Sequence, residues 1–318
     1  MKHLRNLLLW LPAALWYRVI WGFSAQTAAV SGDLSDRLLW RLMTALSPAF
    51  AAGDFPARNA AVELLSFFER KAAHMFLYFV LILLLWLALT PLLRGWQRQA
   101  GLAAVLCGAL AGLDEVHQTF TPGRSGQLRD VVIDLAGAAA ALLLVAVLLW
   151  AAGRRREGRF TRLGWLLPGL WALLAVAVAA LPVDFAALPP FAWAAERFVP
   201  EFPALDHTTQ AALLAALSPM LRETCFLAIC GLLGALSVLG AFLSARRPLC
   251  ALTASLGLSL VLSGLPSLLW GLPALTATLL SALGWAVGVG LWLLCLAAKN
   301  VFSRVFASSE REKHLYKE

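Results

Sequence analysis

The sequence predicts an all-α membrane protein, a polytopic bundle of about eight transmembrane helices. Of its 318 residues, 61% are hydrophobic and only 14% are charged, whereas an average soluble domain is about 45–50% apolar and about 25% charged. The mean hydropathy is +0.77, and the apolar residues fall in runs of the length that crosses a bilayer, roughly 20 residues. These observations exclude an ordinary soluble enzyme, a disordered chain and a fibrous protein.

Eight apolar runs predict the helices in chain order. They cover residues 5–24, 72–93, 100–117, 130–151, 163–182, 224–245, 249–270 and 273–298. The first run could instead be a signal peptide, because Lys2 and Arg5 precede it and small residues follow it. Its length and the interior residues Trp16, Arg18 and Trp21 favour a helix that is retained.

The basic residues predict which side of the membrane each connection occupies. If the N-terminus is cytoplasmic, the inside segments hold sixteen of the 26 Lys and Arg residues and few acids. They are the N-terminus with Lys2 and Arg5, the turn at 94–98, the run 154–162, the turn 246–247 and the tail from residue 299. This bias predicts a bacterial cytoplasmic membrane protein with both termini inside the cell. The net charge of +8 is therefore a topology signal, and we expect no nucleic-acid partner.

The five cysteines lie inside apolar runs and form no Cys-x-x-Cys or Cys/His cluster. Such residues usually pack as small hydrophobic side chains, so the sequence indicates no disulfide framework.

The helices divide into two predicted halves. A four-helix domain covers 1–153, a basic cytoplasmic linker 154–162, a second four-helix domain 163–298 and a cytoplasmic tail 299–318. Long outer segments, 25–71 and 183–223, separate the first and second helix of each half. A shift of 152 residues superposes Asp206 on Asp54 and Gly264 on Gly112. The second half could therefore be a repeat that has lost the charges of the first.

Polar residues recur at the predicted outer ends of three successive helices in the first half. Lys71, His74 and Tyr78 share one helical face, and Asp114, Glu115 and Gln118 close the next helix. A turn through Pro122 and Gly123 carries Arg124, after which Asp130 and Asp134 open the fourth helix. An ionised side chain near the membrane interior is costly unless it is paired or hydrated, so we expect these groups to meet.

This cluster is the candidate site. Its candidate catalytic residues are His74, Glu115, Asp114 and Asp130, and its candidate ligand-binding residues are Lys71, Gln118, Arg124, Asp134 and Tyr78. Lys71 and Arg124 would hold phosphate or carboxylate oxygens, and His74 would carry protons, with Glu115 or Asp114 orienting it or acting as base. A divalent cation on Asp130, Asp134 and Glu115 is the weaker interpretation, and we expect no metal and no cofactor.

Two alternatives need no bound molecule in the cluster. The charges could form a polar clasp between helices, although buried ion pairs are often no more stable than apolar packing. They could also relay protons in a transporter. Against this, the inner halves of these helices consist mainly of Leu and Ala and contain no acidic residue that would continue a proton path. The residues alone leave open whether any reaction is catalysed.

The motifs together resemble the VanZ-like membrane proteins over about residues 5–150. The matching positions are Lys71-x-x-His74, then Asp114-Glu115-x-x-Gln118-x-Phe120-x-Pro122-Gly123-Arg124, then Asp130-x-x-x-Asp134-x-x-Gly137. The Ser-Ala-Gln at 24–26 is similar to a polar turn of the same family. One departure is Asp134, where the family more often has Asn.

The resemblance implies a membrane protein of the bacterial cell envelope, from a family named for a member that gives low-level resistance to the glycopeptide teicoplanin. Some members have been labelled acyltransferases, but no residue here supports that chemistry. The expected partners are membrane lipids and an anionic, lipid-linked envelope precursor. Residues 163–298 lie outside the resemblance.

Overall fold

The protein is all-α in the part of the chain that the structure, a computed structural model, describes. The described residues are 6–93, 95–156, 165–181, 183–244, 248–290 and 293. The helices are α1 (Leu11–Ser24), α2 (Ala28–Leu46), α3 (Pro48–Ala52), α4 (Phe55–Leu89), α5 (Trp96–Gln118), α6 (Leu128–Arg156), α7 (Leu166–Ala180), α8 (Pro189–Phe198), α9 (His207–Ser244), α10 (Pro248–Trp270) and α11 (Ala274–Gly290), with a 3-10 turn at Phe202–Ala204.

Six of these helices are long and apolar enough to cross a membrane. They belong to α1, α4, α5, α6, α9 and α10, while α7 and α11 are shorter apolar helices. Together they correspond to the eight predicted spans, and the predicted class of all-α membrane helix bundle is confirmed. Much of the basic pattern that predicts the topology, including Lys2, Arg5, Arg94, residues 157–162, the turn 246–247 and the tail, lies outside the described residues.

Two helices begin well before the predicted spans. The span predicted at 72–93 is the C-terminal part of α4, which begins at Phe55, and the span predicted at 224–245 belongs to α9, which begins at His207. Hydropathy marks only the apolar part of a helix, whereas its start is determined by capping. Asp54 Oδ1 accepts a hydrogen bond from Ala57 N at 2.9 Å, and Asp206 Oδ1 accepts one from Thr209 N at 3.0 Å.

The helix bounds support the predicted duplication. With the same shift of 152 residues, the start of α4 falls on the start of α9, and both ends of α5 fall on those of α10. Trp16 Nε1 donates to the carbonyl of Leu77 at 2.8 Å, and Trp171 Nε1 donates to the carbonyl of Ile229 at 3.0 Å. Leu77 and Ile229 are equivalent under the shift. In each half, a tryptophan on the first spanning helix therefore donates a hydrogen bond to the equivalent carbonyl of the second spanning helix. The duplication stays a prediction.

The chain packs as two compact units. In its described residues, the first unit consists of 6–35, 68–93, 95–149 and 293, and its core joins α1, α4, α5 and α6 through a set of buried apolar side chains. Tyr17 on α1 donates its hydroxyl to the carbonyl of Leu110 on α5 at 3.1 Å. All nine candidate site residues belong to this unit.

The second unit combines residues 36–67 with most of the chain after residue 149. Its buried polar contact is made by Glu223, whose Oε2 accepts hydrogen bonds from Ser47 Oγ at 2.5 Å and from Ala49 N at 3.1 Å. The predicted division at residues 153–154 stays a prediction, and the packing units differ from it chiefly in the segment 36–67.

Candidate functional site

The polar residues of α4 and α6 meet in two pairs. Lys71 Nζ lies 2.6 Å from Asp130 Oδ1, and His74 Nδ1 lies 3.1 Å from Asp134 Oδ1. The two members on each helix are three or four residues apart, which places them on one face. Lys71 and His74 are about equally exposed, with 22% and 23% of their side chains accessible, whereas Asp130 is 15% exposed and Asp134 is fully buried. The carboxylates of α6 therefore run from a partly exposed position into the interior.

The pairing rests on a close approach of α4 and α6. A Cβ atom added to Gly137 would overlap the backbone carbonyl group of Met75. Because no side chain separates the helices there, Asp130 and Asp134 come within reach of residues on α4.

The end of α5 contributes a buried hydrogen-bonded carboxylate. Asp114 has 0% of its surface exposed, and its Oδ2 accepts from Ser24 Oγ at 2.8 Å and from Gln118 Nε2 at 3.0 Å. The carboxylate that contacts His74 is that of Asp134. Glu115 and Asp114 bond to other groups at the end of α5, and their expected roles, orienting His74 or acting as base, stay predictions.

Glu115 stabilises the start of α6. Its Oε2 accepts a hydrogen bond from the backbone N of Gln127 at 2.7 Å, and its Oε1 accepts from Gln118 Nε2 at 3.2 Å. A carboxylate at a helix N-terminus interacts favourably with the helix dipole. Gly126 lies against this arrangement, and a Cβ atom there would approach the Glu115 carbonyl oxygen to 2.6 Å.

Arg124 holds the turn between α5 and α6 onto the end of α1. Its Nε donates to the Gln26 carbonyl at 2.8 Å, one terminal nitrogen donates to the Phe23 carbonyl at 3.3 Å, and the other donates to Gln118 Oε1 at 3.4 Å. These bonds use three of the five N–H groups of a guanidinium. Partial burial lowers the pKa of Arg124, while Asp114 and Glu115 act in the opposite direction.

The end of α1 is a part of the site whose role the sequence did not reveal. Thr121 Oγ1 donates to the Ser24 carbonyl at 3.3 Å, and Ala28 N donates to the Pro122 carbonyl at 3.3 Å. The ring of Trp21 stacks on that of His117 at 3.9 Å between centroids. The Ser-Ala-Gln motif at 24–26 indicated a polar turn at the end of α1. Its spacing did not predict that Ser24 would bond to Asp114.

Tyr78 lies deeper than any other candidate ligand-binding residue on α4. Its side chain is fully buried in the core of the unit, and its hydroxyl makes no hydrogen bond to the described residues. A molecule arriving from outside would meet Lys71 and His74 before it reached Tyr78. The role of Tyr78 in binding such a molecule stays a prediction.

Basic residues outnumber acids at the partly exposed end of the site, where Asp130 pairs with Lys71. We call Arg70, Lys71, Arg124 and Arg129 the basic rim, because they belong to the end of the site where side chains are partly or fully exposed. We call Asp114, Glu115 and Asp134 the interior acids, because each is buried. Among the described residues, no group of three His, Cys, Asp or Glu side chains is arranged to hold a metal ion.

Residues 9–149 match the family model described as VanZ/LLP1. This range contains every residue of the basic rim and every interior acid. Neither the curated proteins nor the solved structures include a match to the chain.

Proposed function

We propose that residues 9–149, which belong to the VanZ/LLP1 family, bind an anionic, lipid-linked molecule of the bacterial cell envelope at the outer face of the cytoplasmic membrane. The observation that carries the proposal is the order of charges, with the basic rim at the accessible end and the interior acids behind it. A negatively charged headgroup is attracted to such a rim and is repelled by the acids below it. The ligand would therefore be held near the membrane surface, with its lipid chain in the bilayer.

Arg124 is the best placed group to recognise a phosphate or carboxylate. Its bonds to Phe23, Gln26 and Gln118 hold the guanidinium in one orientation. Two of its five N–H groups are not used by these bonds, and a planar guanidinium can offer two parallel donors to one anion. Lys71 would add a point charge, while remaining close to Asp130.

His74 gives the same site a group that can carry protons. When Nδ1 donates to Asp134, Nε2 is the ring nitrogen that accepts a proton from a bound molecule. The neighbouring carboxylate stabilises the resulting imidazolium, as required of a general base. We therefore propose His74 as the proton acceptor of any reaction at this site and Asp134 as the residue that orients it.

The orientation and the biological role belong to the same proposal. Both termini are cytoplasmic, as the excess of basic residues in the predicted inside segments indicates. The connection between α5 and α6 then faces outwards, which is where a lipid-linked envelope precursor is accessible. The protein would contribute to teicoplanin tolerance through this site.

A structural clasp is the second candidate function, and a specific observation favours it. The Lys71–Asp130 and His74–Asp134 contacts both join α4 to α6, so the same charges also hold the helices together. A clasp would bind no ligand. Its loss would lower the amount of folded protein in the membrane instead of changing what the protein binds.

Mass spectrometry of co-purified lipids tests the proposal. We expect Lys71→Gln and Arg129→Gln each to reduce several-fold an anionic lipid that accompanies the wild-type chain. Arg197→Gln is the matched control, since it removes an exposed positive charge from the other unit. Unchanged lipid profiles with less protein in the membrane would support the clasp and contradict the binding site.

A further inference from the structure

The helix α2 is amphipathic and has an apolar stripe on its exposed side. Four of its large apolar side chains recur at every fourth residue, and each has between 44% and 57% of its surface exposed: Val30, Leu34, Leu38 and Leu42. Residues four apart on a helix differ by about 40° in direction, so these side chains cover an arc of about 120°. We call these four residues the α2 stripe.

The opposite side of α2 is already covered by the protein. Met43 is buried in the apolar core of the second unit, and Leu39 and Trp40 pack against the same core. One apolar face is enough to hold a helix on a protein surface. The α2 stripe is a second apolar face, and an apolar face that stays exposed on a folded protein commonly marks an interaction surface.

The composition of α2 argues against a helix that crosses the membrane. With 19 residues it is long enough, but it is not one of the six described helices that are both long and apolar enough. It carries four charged residues, Asp33, Asp36, Arg37 and Arg41, and charged side chains in the hydrocarbon interior are costly. The helix therefore lies outside the hydrocarbon interior.

The contacts of α2 within the first unit place its N-terminal half at the membrane boundary. Ala28 N donates to the carbonyl of Pro122 at 3.3 Å, and Pro122 lies in the turn between two candidate spans, α5 and α6. Ser35 Oγ donates to Glu69 Oε2 at 2.9 Å, and Glu69 lies three residues before the apolar run that begins at residue 72. Both partners therefore lie close to the end of an apolar run.

The C-terminal half of α2 contacts the same kind of position within the second unit. Thr224 Oγ1 donates to the sulfur of Met43 at 3.6 Å, and Thr224 is the first residue of the apolar run 224–245. A helix of this length extends over about 28 Å, so its two ends would lie at very different depths if it stood perpendicular to the membrane. Contacts near the boundary in both halves instead indicate a helix that lies along the membrane surface.

The α2 stripe follows a surface that faces lipid. The preceding helix, α1, is a candidate span, and its exposed apolar side chains have the same spacing, at Leu11, Leu15, Val19 and Phe23. Only residues 25–27 separate α1 from α2. Arg37 and Arg41 are exposed near one edge of the stripe. An arginine stem can lie on apolar surface there while its guanidinium stays among polar headgroups.

We propose that α2 is an interfacial helix and that the α2 stripe binds the lipid of the membrane surface. The apolar side chains enter the boundary between headgroups and acyl chains, and Arg37 and Arg41 meet headgroup phosphates. This surface is separate from the candidate site, and it depends neither on a ligand there nor on the side of the membrane that it faces. Because α2 bonds to Glu69, which directly precedes Arg70 and Lys71, it also holds the basic rim at the depth of the headgroups.

Electron paramagnetic resonance of the spin-labelled full-length protein tests the proposal. With the native cysteines replaced by serine, Leu34→Cys, Leu38→Cys and Leu42→Cys each carry the label, in vesicles of phosphatidylethanolamine and phosphatidylglycerol. We expect these labels to collide several-fold more with oxygen, which concentrates in lipid, than with a water-soluble nickel chelate. Leu15→Cys on α1 gives the reference for a lipid-facing side chain. Asp33→Cys is the matched control, because Asp33 is exposed on the same helix outside the stripe, and its label should favour the nickel chelate.

Two other outcomes would overturn the proposal. Labels on the stripe that favour the nickel chelate, as at Asp33→Cys, would mean that the stripe faces water. Labels protected from both reagents would mean that protein covers the stripe, and spin–spin broadening would then identify a second copy of the chain as its occupant. Because three positions report independently, failure of one variant to fold leaves the answer to the other two.

Discussion

Gly137 on α6 packs directly on the backbone of Met75 on α4, with no space for a side chain between them. Gly137 lies about one helical turn after Asp134, and Met75 directly follows His74, so this contact controls how closely the two side chains can approach. The ion pairs of the site therefore depend on a residue that carries no charge. A substitution at Gly137 can therefore test the effect of helix packing on the ion pairs without changing any charged residue.

Gly137→Ala is expected to destabilise the protein by about 1–3 kcal/mol, the usual cost of inserting a methyl group into a packed interface. The added Cβ would overlap the Met75 carbonyl group and force α4 and α6 apart. Thermal unfolding in detergent measures the effect. Gly112→Ala on α5 is the control, since nothing lies within 4 Å of a Cβ at that position. Equal stability of both variants would contradict the close approach.

Exchanging the charges of Lys71 and Asp130 separates a clasp from a binding site. Lys71 Nζ and Asp130 Oδ1 are 2.6 Å apart; the single variants Lys71→Asp and Asp130→Lys replace this pair by like charges, and each is expected to lower stability. The double variant restores an opposite pair. Partly exposed pairs contribute roughly 1 kcal/mol or less, so we expect it to recover most of the lost stability but not lipid binding. Recovery of lipid binding as well would contradict a direct contact between Lys71 and the lipid, because the exchanged pair would then restore binding only by holding α4 to α6.

Ser24→Ala is expected to lower stability by about 1–3 kcal/mol, because it leaves a buried carboxylate oxygen of Asp114 with one donor fewer. The present bond is 2.8 Å long and joins α1 to α5. Ser125→Ala is the control, since Ser125 is exposed and accepts only from the side chain of Gln127. Urea or thermal unfolding compares the two. A larger loss in Ser125→Ala would contradict the assigned role of Ser24.

The contact of Ser24 with Asp114 is a feature that the sequence does not predict. Composition and hydropathy predicted the all-α membrane class, and helical spacing predicted that Lys71 and His74 face one direction. Those properties arise within one helix, so they are visible in a short stretch of sequence. Ser24 and Asp114 are 90 residues apart, and a contact of that kind depends on how three helices pack.

The same reason explains why the sequence did not predict the contact of His74 with Asp134. Spacing predicted that Asp114, Glu115, Asp130 and Asp134 meet at one end of the first unit, and Glu115 or Asp114 was the expected partner of His74. The choice of Asp134 follows from the close packing at Gly137, which the sequence indicates only as a small residue. The extended starts of α4 and α9 were missed because charged residues interrupt both helices directly before the apolar runs, Arg70 and Lys71 in α4 and Arg222 and Glu223 in α9.

Cysteine labelling in intact cells tests the proposed orientation. In a background where the other cysteines are replaced by serine, Ser125→Cys places a thiol in the exposed turn between α5 and α6, and a thiol reagent that cannot cross membranes should label it. Cys250 is exposed near the start of α10, next to the predicted cytoplasmic turn 246–247. It should be labelled only after the cells are broken.

Both side chains are exposed in the structure, and Cys250 is the first residue of a candidate membrane span. Labelling at both positions in broken cells is therefore required before a difference in intact cells reports the side of the membrane. Labelling of broken cells serves as the control for reactivity at each position. If Cys250 were labelled in intact cells and Ser125→Cys were not, the orientation would be reversed. The basic rim would then face the cytoplasm, and an outer-leaflet precursor could not reach Arg124.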